Sequence, residues 1–72
     1  VVQLGVFGNE SNALNLKRKF AKIADADVTQ LNVSGRQLYR VRLGPFADEV
    51  AAKEIESRVR HMGVPDAKLL KL

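Results

Sequence analysis

The sequence predicts an α+β sandwich: a four-stranded antiparallel sheet with two helices on one of its faces. Three observations carry that prediction. Runs of alternating apolar residues and stripes of helically spaced ones follow one another in the order β-α-β-β-α-β. Leu4-Gly5-Val6-Phe7 returns as Leu43-Gly44-Pro45-Phe46, at an offset of 39 residues (43 − 4 = 39). The same offset pairs Val2 with Val41, Glu10 with Glu49, Ala13 with Ala52, Asp27 with Asp66 and Leu31 with Leu70. Leu16 with Ile55, Lys19 with Arg58, Phe20 with Val59, Ile23 with Met62 and Val33 with Leu72 are conservative matches. Segment 1–33 therefore reads as a copy of segment 40–72, one supersecondary unit used twice. Finally, a chain of 72 residues has room for a single small domain.

The stretch 1–7 reads as the first strand. Val2, Leu4 and Val6 face one side by alternation, and Val1, Gln3 and Gly5 the other. Asn9 is a helix N-cap, since its side-chain oxygen can accept from the free N–H groups of the first turn. Ala13, Leu16, Phe20 and Ile23 then recur at helical spacing. Lys17, Arg18, Lys19 and Lys22 lie mostly off that stripe, as a solvated helix face does. The stretch 27–33 is the second strand, with Thr29, Leu31 and Val33 assigned inward. Ser34-Gly35 between two strand-like runs reads as a hairpin turn. The third strand, 37–43, has Tyr39, Val41 and Leu43 on one side and Leu38, Arg40 and Arg42 on the other. Pro45 ends its ladder, having no N–H to give. Asp48 repeats the capping role of Asn9 for a second helix striped by Ala52, Ile55, Val59 and Met62. Gly63 suits the left-handed position after that helix, and Pro65 prevents its continuation. The stretch 66–72 is the last strand.

Two β-α-β halves of this kind commonly close as a ferredoxin-like sandwich with the first and third strands central. Val2, Leu4, Val41, Leu43, Leu31 and Leu70 are then expected beneath the helices. The opposite face is open to water and should carry Gln3, Gln30, Asn32, Arg40, Arg42 and Lys71, with Leu38 and Leu69 adding apolar contact. Such a face reads equally as a solvated surface and as a binding platform.

Composition narrows the chemistry. A chain this short buries only about 60% of its unfolded surface, so its stability should be modest. There is no cysteine, hence no disulfide and no thiol chemistry. No apolar run approaches the roughly 20 residues of a membrane span. No signal peptide is visible, and a start at Val1 suggests a domain of a longer protein. The net charge of +4 favours anionic partners mildly. His61, the one histidine, sits late in the second helix beside Arg60, where a cation suits the helix dipole. No metal site can be assembled from it. Asp25, Asp27, Asp48 and Glu49 fall at element ends, where capping and solvation account for them. Gly5 and Gly44 open no phosphate-binding loop, and Ser11, Ser34 and Ser57 have no partner base. No catalytic residue, metal or cofactor is expected, and the chain is not expected to be an enzyme.

The strand Val2-Gln3-Leu4-Gly5-Val6-Phe7, with Asn9 and Ala13 after it, and the run Tyr39-Arg40-Val41-Arg42-Leu43-Gly44-Pro45-Phe46, with Ala52, resemble the SPOR domain over essentially the whole of 1–72. The resemblance implies the β-α-β-β-α-β fold already deduced. It implies binding to septal peptidoglycan at denuded glycan strands, those lacking stem peptides, without catalysis. It also implies that the domain carries attached modules to the division site. Parents of such domains include anchored cell-division proteins and lipoproteins of the rare lipoprotein A type, so a periplasmic or envelope location at the septum of a bacterium is implied. Gln3 matches the first-strand Gln of the family's glycan site, and Arg40 the third-strand Arg. Leu38 falls where some members carry an aromatic and Val6 where many carry Ser, which removes a sugar-stacking surface and a hydroxyl. With Arg42 and Lys71 these residues form the expected glycan site: Gln3, Val6, Leu38, Arg40, Arg42 and Lys71.

The chemistry fits. A denuded strand exposes the lactyl carboxylate of N-acetylmuramic acid, which an Arg fork can meet with two parallel hydrogen bonds. Gln3 can both donate to and accept from acetamido and hydroxyl groups. The domain is expected to be a monomer, with no nucleic acid bound and no membrane contact of its own. Two other readings stay open: an RRM-like RNA binder, which needs aromatics on the open face, and a ferredoxin-like oligomerisation module with no glycan ligand.

Overall fold

A computed structural model describes residues 1–70. Its elements are β1 (Val2–Phe7), α1 (Glu10–Phe20), β2 (Ala26–Val33), β3 (Arg36–Leu43), α2 (Glu49–His61) and β4 (Lys68–Leu69). The four strands form one antiparallel sheet in the order β2-β3-β1-β4, with β3 and β1 central. This is the α+β ferredoxin-like sandwich predicted from the sequence. No helix among the described residues is long and apolar enough to cross a membrane.

Local chemistry explains the element boundaries. Asn9 Oδ1 accepts from the Ser11 N–H at 2.8 Å and the Asn12 N–H at 3.4 Å, which starts α1. Asp48 Oδ1 accepts from the Ala51 N–H at 2.8 Å and does the same for α2. At the other end of α2, Gly63 has φ +105 and the Val64 N–H reaches back to the Val59 carbonyl at 3.2 Å. That is the Schellman closure a glycine permits. The 34–35 turn has positive φ at both Ser34 and Gly35, which suits a two-residue hairpin.

Val2, Leu4, Ala13, Phe20, Val41, Leu43, Val59 and Ala67 form one buried cluster between sheet and helices. Leu16, Ile23, Ile55, Tyr39, Phe7 and Phe46 pack against it. Met62, expected in the α2 stripe, is instead the C-cap and is exposed. Among the described residues of the expected last strand, only Lys68–Leu69 are in the ladder, because a turn closed by the Ala67 N–H on the Val64 carbonyl holds the preceding residues; residues 71 and 72 lie outside the described residues.

The facing of three strands departs from simple alternation. In β1 the pairing with β3 shifts between Gln3 and Gly5, so Leu4 is an extra residue. Such a bulge resets the parity of the strand. Gly5 falls opposite Val41 and Phe7 opposite Tyr39, on the helix side, while Val6 falls opposite Arg40 on the open side. Val6 was expected inward; it is 43% exposed. In β2 the register sets Ala26, Val28 and Gln30 opposite Leu43, Val41 and Tyr39. These three face the helices, and Asp27, Thr29, Leu31 and Val33 face the open side, the reverse of the expected facing. In β4, Leu69 pairs with Val2 and packs on the core, and Lys68 pairs with Gln3 on the open face. Leu31 and Leu70 are half-buried and stand outside the core cluster, where Ala67 and Leu69 take the expected place of Leu70.

The Gly-x-Phe tails of the two echoed motifs share one packing device. Phe7 folds its ring back over Gly5, and Phe46 folds over Gly44. A Cβ on Gly5 would stand 3.1 Å from the Phe7 ring, and one on Gly44 3.0 Å from the Phe46 ring. Gly44 also has φ +111, a backbone conformation that side chains rarely adopt. Gly44→Ala should therefore destabilise the fold by about 1–3 kcal/mol. Gly5→Ala, with no such strain, should cost less. Urea melts of the two variants check this ranking; equal midpoints would remove the backbone account of Gly44.

Candidate binding surface on the open sheet face

The helix-free face is built from cross-strand rows, since residues paired across a ladder point to the same side. One row runs across all four strands as Lys68, Gln3, Arg42 and Asp27. The next is Val6, Arg40 and Thr29. Beyond it on β2 and β3 come Leu38 beside Leu31, then Arg36 beside Val33. Arg36, Arg40, Arg42 and Lys68 against Asp27 leave this face positive.

The two central arginines differ in their surroundings. Arg42 Nη2 stands 4.0 Å from Asp27 Oδ2, which also accepts from Thr29 Oγ1 at 3.3 Å. Arg42 is thus tied within the sheet, although a half-exposed pair at that distance contributes little to stability. Arg40 has no such tie. Its Nε is buried with no hydrogen-bond partner among the described residues. Val6 on β1 and Thr29 on β2 form its shoulders. A donor left unpaired at that depth is disfavoured unless an acceptor is brought to it. The arrangement can present a guanidinium to an anion while flanking aliphatic groups dehydrate the contact.

Of the residues expected at the site, Gln3, Val6, Leu38, Arg40 and Arg42 lie together on this face. Lys71 lies outside the described residues. Gln30 and Asn32, expected here, belong to the opposite face by their pairing with Tyr39 and Gln37. Leu69 likewise turns to the core. Asp27, Thr29, Leu31, Val33, Arg36 and Lys68 are face residues that the sequence reading did not place here. A signal for the β2 set was present in the chain. A two-residue turn at Ser34-Gly35 fixes the register. Placing Val41 and Leu43 inward then forces Val28 and Ala26 inward.

All the aromatic residues, Tyr39 and the three phenylalanines, lie in or against the core. The open face therefore offers no ring on which a base or sugar could stack. His61 Nδ1 lies 2.8 Å from the Ser57 carbonyl, one turn back in α2, and takes no part in the face. A mostly apolar groove of about 360 Å³ lies elsewhere, lined by Val1, Pro45, Phe46, Ala52, Leu69 and Leu70. It includes none of the face residues. Asp48 and Glu49 also line this groove, and their carboxylates disfavour an anionic ligand there.

The fold is that of a small β-α-β-β-α-β module with one helix-free sheet face. A family model for the SPOR domain matches residues 1–68, and the chain belongs to that family. Membership makes it a peptidoglycan-binding module of an envelope protein. The crystal structure of the RlpA SPOR domain from Pseudomonas aeruginosa superposes with a TM-score of 0.89 at 25% identity, covering 99% of this chain and 96% of that one. No curated protein matches the chain at the level of sequence.

Proposed function

We propose that the open sheet face binds denuded glycan strands of peptidoglycan, and that the domain thereby directs its parent protein to the division septum. The buried, unpartnered Nε of Arg40 carries this reading. A stem-peptide amide is neutral, whereas the lactyl carboxylate it leaves behind is an anion that a guanidinium binds through paired hydrogen bonds. Gln3, in the adjoining row, supplies a donor and an acceptor for acetamido and hydroxyl groups. Val6, Leu38 and Leu31 offer aliphatic surface to the sugar rings. The absence of an exposed aromatic on the face weighs against RNA, which binds such sheets by stacking.

The experiment is a pull-down with intact sacculi and with sacculi treated with an amidase. The domain should be retained far better on the treated ones. Equal retention would argue for a general wall affinity instead. The domain acts here as a non-catalytic monomer. Incubated alone with sacculi it should release no soluble muropeptide above a heat-killed control; reproducible release, read by chromatography, would show a catalytic group this account lacks.

A further inference from the structure

The two edges of the sheet are finished differently. On the β4 edge the Leu69 N–H is taken by Glu56 Oε2 at 2.5 Å. Arg60 holds Glu56 at 3.7 Å and donates from Nε to the Ala67 carbonyl at 3.0 Å. Among the described residues that edge is two residues long, and its outward N–H is covered by a side chain, as in protected edges. The β2 edge has eight residues, with no proline, no lysine and no bulge in its pairing to β3. In a two-residue hairpin the residues flanking the turn exchange both hydrogen bonds. Val33, Leu31, Thr29 and Asp27 therefore bond to β3, in keeping with the Gly44 N–H on the Asp25 carbonyl at 2.9 Å. The N–H and C=O groups of Ala26, Val28, Gln30 and Asn32 point outward. No described residue's hydrogen bond reaches them.

The flank of α1 above this edge is basic. Lys19 faces α2, giving its Nζ to the Met62 carbonyl at 3.0 Å. At about 100° of rotation per residue, Leu14 and Lys17 stand on the other flank, on the β2 side, and Arg18 stands beside Lys17 on the solvent side, opposite the buried Phe20. Lys17 and Arg18 have no acidic partner among the described residues. The one acid of β2, Asp27, is engaged by Arg42.

We infer that the β2 edge is a docking site for an extended acidic segment of a partner protein, added to the sheet as a fifth strand. Backbone pairing to Val28, Gln30 and Asn32 supplies the affinity, and Lys17 on the β2 flank, with the positive field of its neighbour Arg18, selects acidic side chains. The site is independent of glycan binding, because it uses the rim of the sheet and not its open face.

The test uses the 15N-labelled 72-residue chain and two capped synthetic octapeptides, one alternating Glu with Val and Thr, the other with Lys in place of each Glu. The Glu peptide should slow amide exchange at Val28, Gln30 and Asn32 by roughly tenfold or more, and leave Leu31 and Thr29, already bonded, little changed. Gln30→Pro removes one outward N–H without touching the β3 ladder. It should abolish the effect while retention on amidase-treated sacculi persists. The double variant Lys17→Glu, Arg18→Glu leaves the backbone unaltered. It should lose the effect for the Glu peptide and gain it for the Lys peptide, which decides the matter even if the proline variant fails to fold. No slowing at those three amides overturns the proposal. So does equal protection by both peptides, which would leave a sticky edge without charge selection. Protection that grows with protein concentration in the absence of peptide also overturns it, and assigns the edge to a second copy of the chain.

Discussion

Arg40→Ala should weaken retention on amidase-treated sacculi by roughly ten- to a hundredfold, the loss of one charge-assisted hydrogen-bonded contact of about 1.5–3 kcal/mol. The side chain lies on a central strand between Val6 and Thr29, so its removal leaves the core untouched. Arg40→Lys should recover binding only in part, because an ammonium cannot form the two-pronged fork. Gln3→Ala should fall between wild type and Arg40→Ala. Lys22→Ala, beyond the end of α1, should change little, since an exposed charge is worth under about 1 kcal/mol. Raised salt should weaken binding modestly, as few carboxylates are engaged. The measurement is a binding isotherm on treated sacculi, with each variant first shown by circular dichroism to be folded. If Lys22 matters and Arg40 and Gln3 do not, the site is a basic helix surface and the sheet face is the wrong place.

Phe20→Ala should destabilise the domain by about 3–5 kcal/mol, the range for emptying the site of a buried aromatic ring. Phe20 is fully buried and is the largest of the fully buried side chains. Small domains have little stability in reserve, so this single change is expected to leave a large unfolded fraction at room temperature. A thermal or urea melt gives the answer. A midpoint close to wild type would mean that Phe20 is not the keystone of the helix–sheet interface. Leu16→Ala, at a half-buried position of the same stripe, should cost clearly less.

The comparison of these two sites shows where the chain is readable. The helices were legible because Ala13, Phe20, Ala52 and Val59 repeat at one period and Asn9 and Asp48 mark the starts. The central strand β3 was legible because Val41 and Leu43 alternate with Arg40 and Arg42. Strand β2 was not, since both of its parities carry apolar residues: Ala26 and Val28 on one, Leu31 and Val33 on the other. Its facing follows from pairing, and only the turn length could have supplied that. The bulge in β1 was hidden for a related reason. Val2, Leu4 and Val6 make a flawless alternation, and nothing in it marks Leu4 as the extra residue. As a result alternation put Val6 under the helices, whereas family resemblance had placed it at the site; the register puts it beside Arg40. Adjacent leucines at 69 and 70 left β4 equally ambiguous.

The two ends of the described chain are fastened to each other. The Val1 amino group donates to the Leu70 carbonyl at 3.1 Å, and the Leu70 N–H returns a bond to the Val1 carbonyl at 2.8 Å. Force has two routes through such a frame. Pulling Val1 and Leu70 apart would open β4 from β1 like a zipper, one bond at a time, with little resistance. Pulling Val1 against a ligand held on the open face would instead load β1 along its length, sliding it against β3, where all the bonds resist together. Loaded between Val1 and a ligand on that face, the domain should therefore resist more force than when its two ends are pried apart.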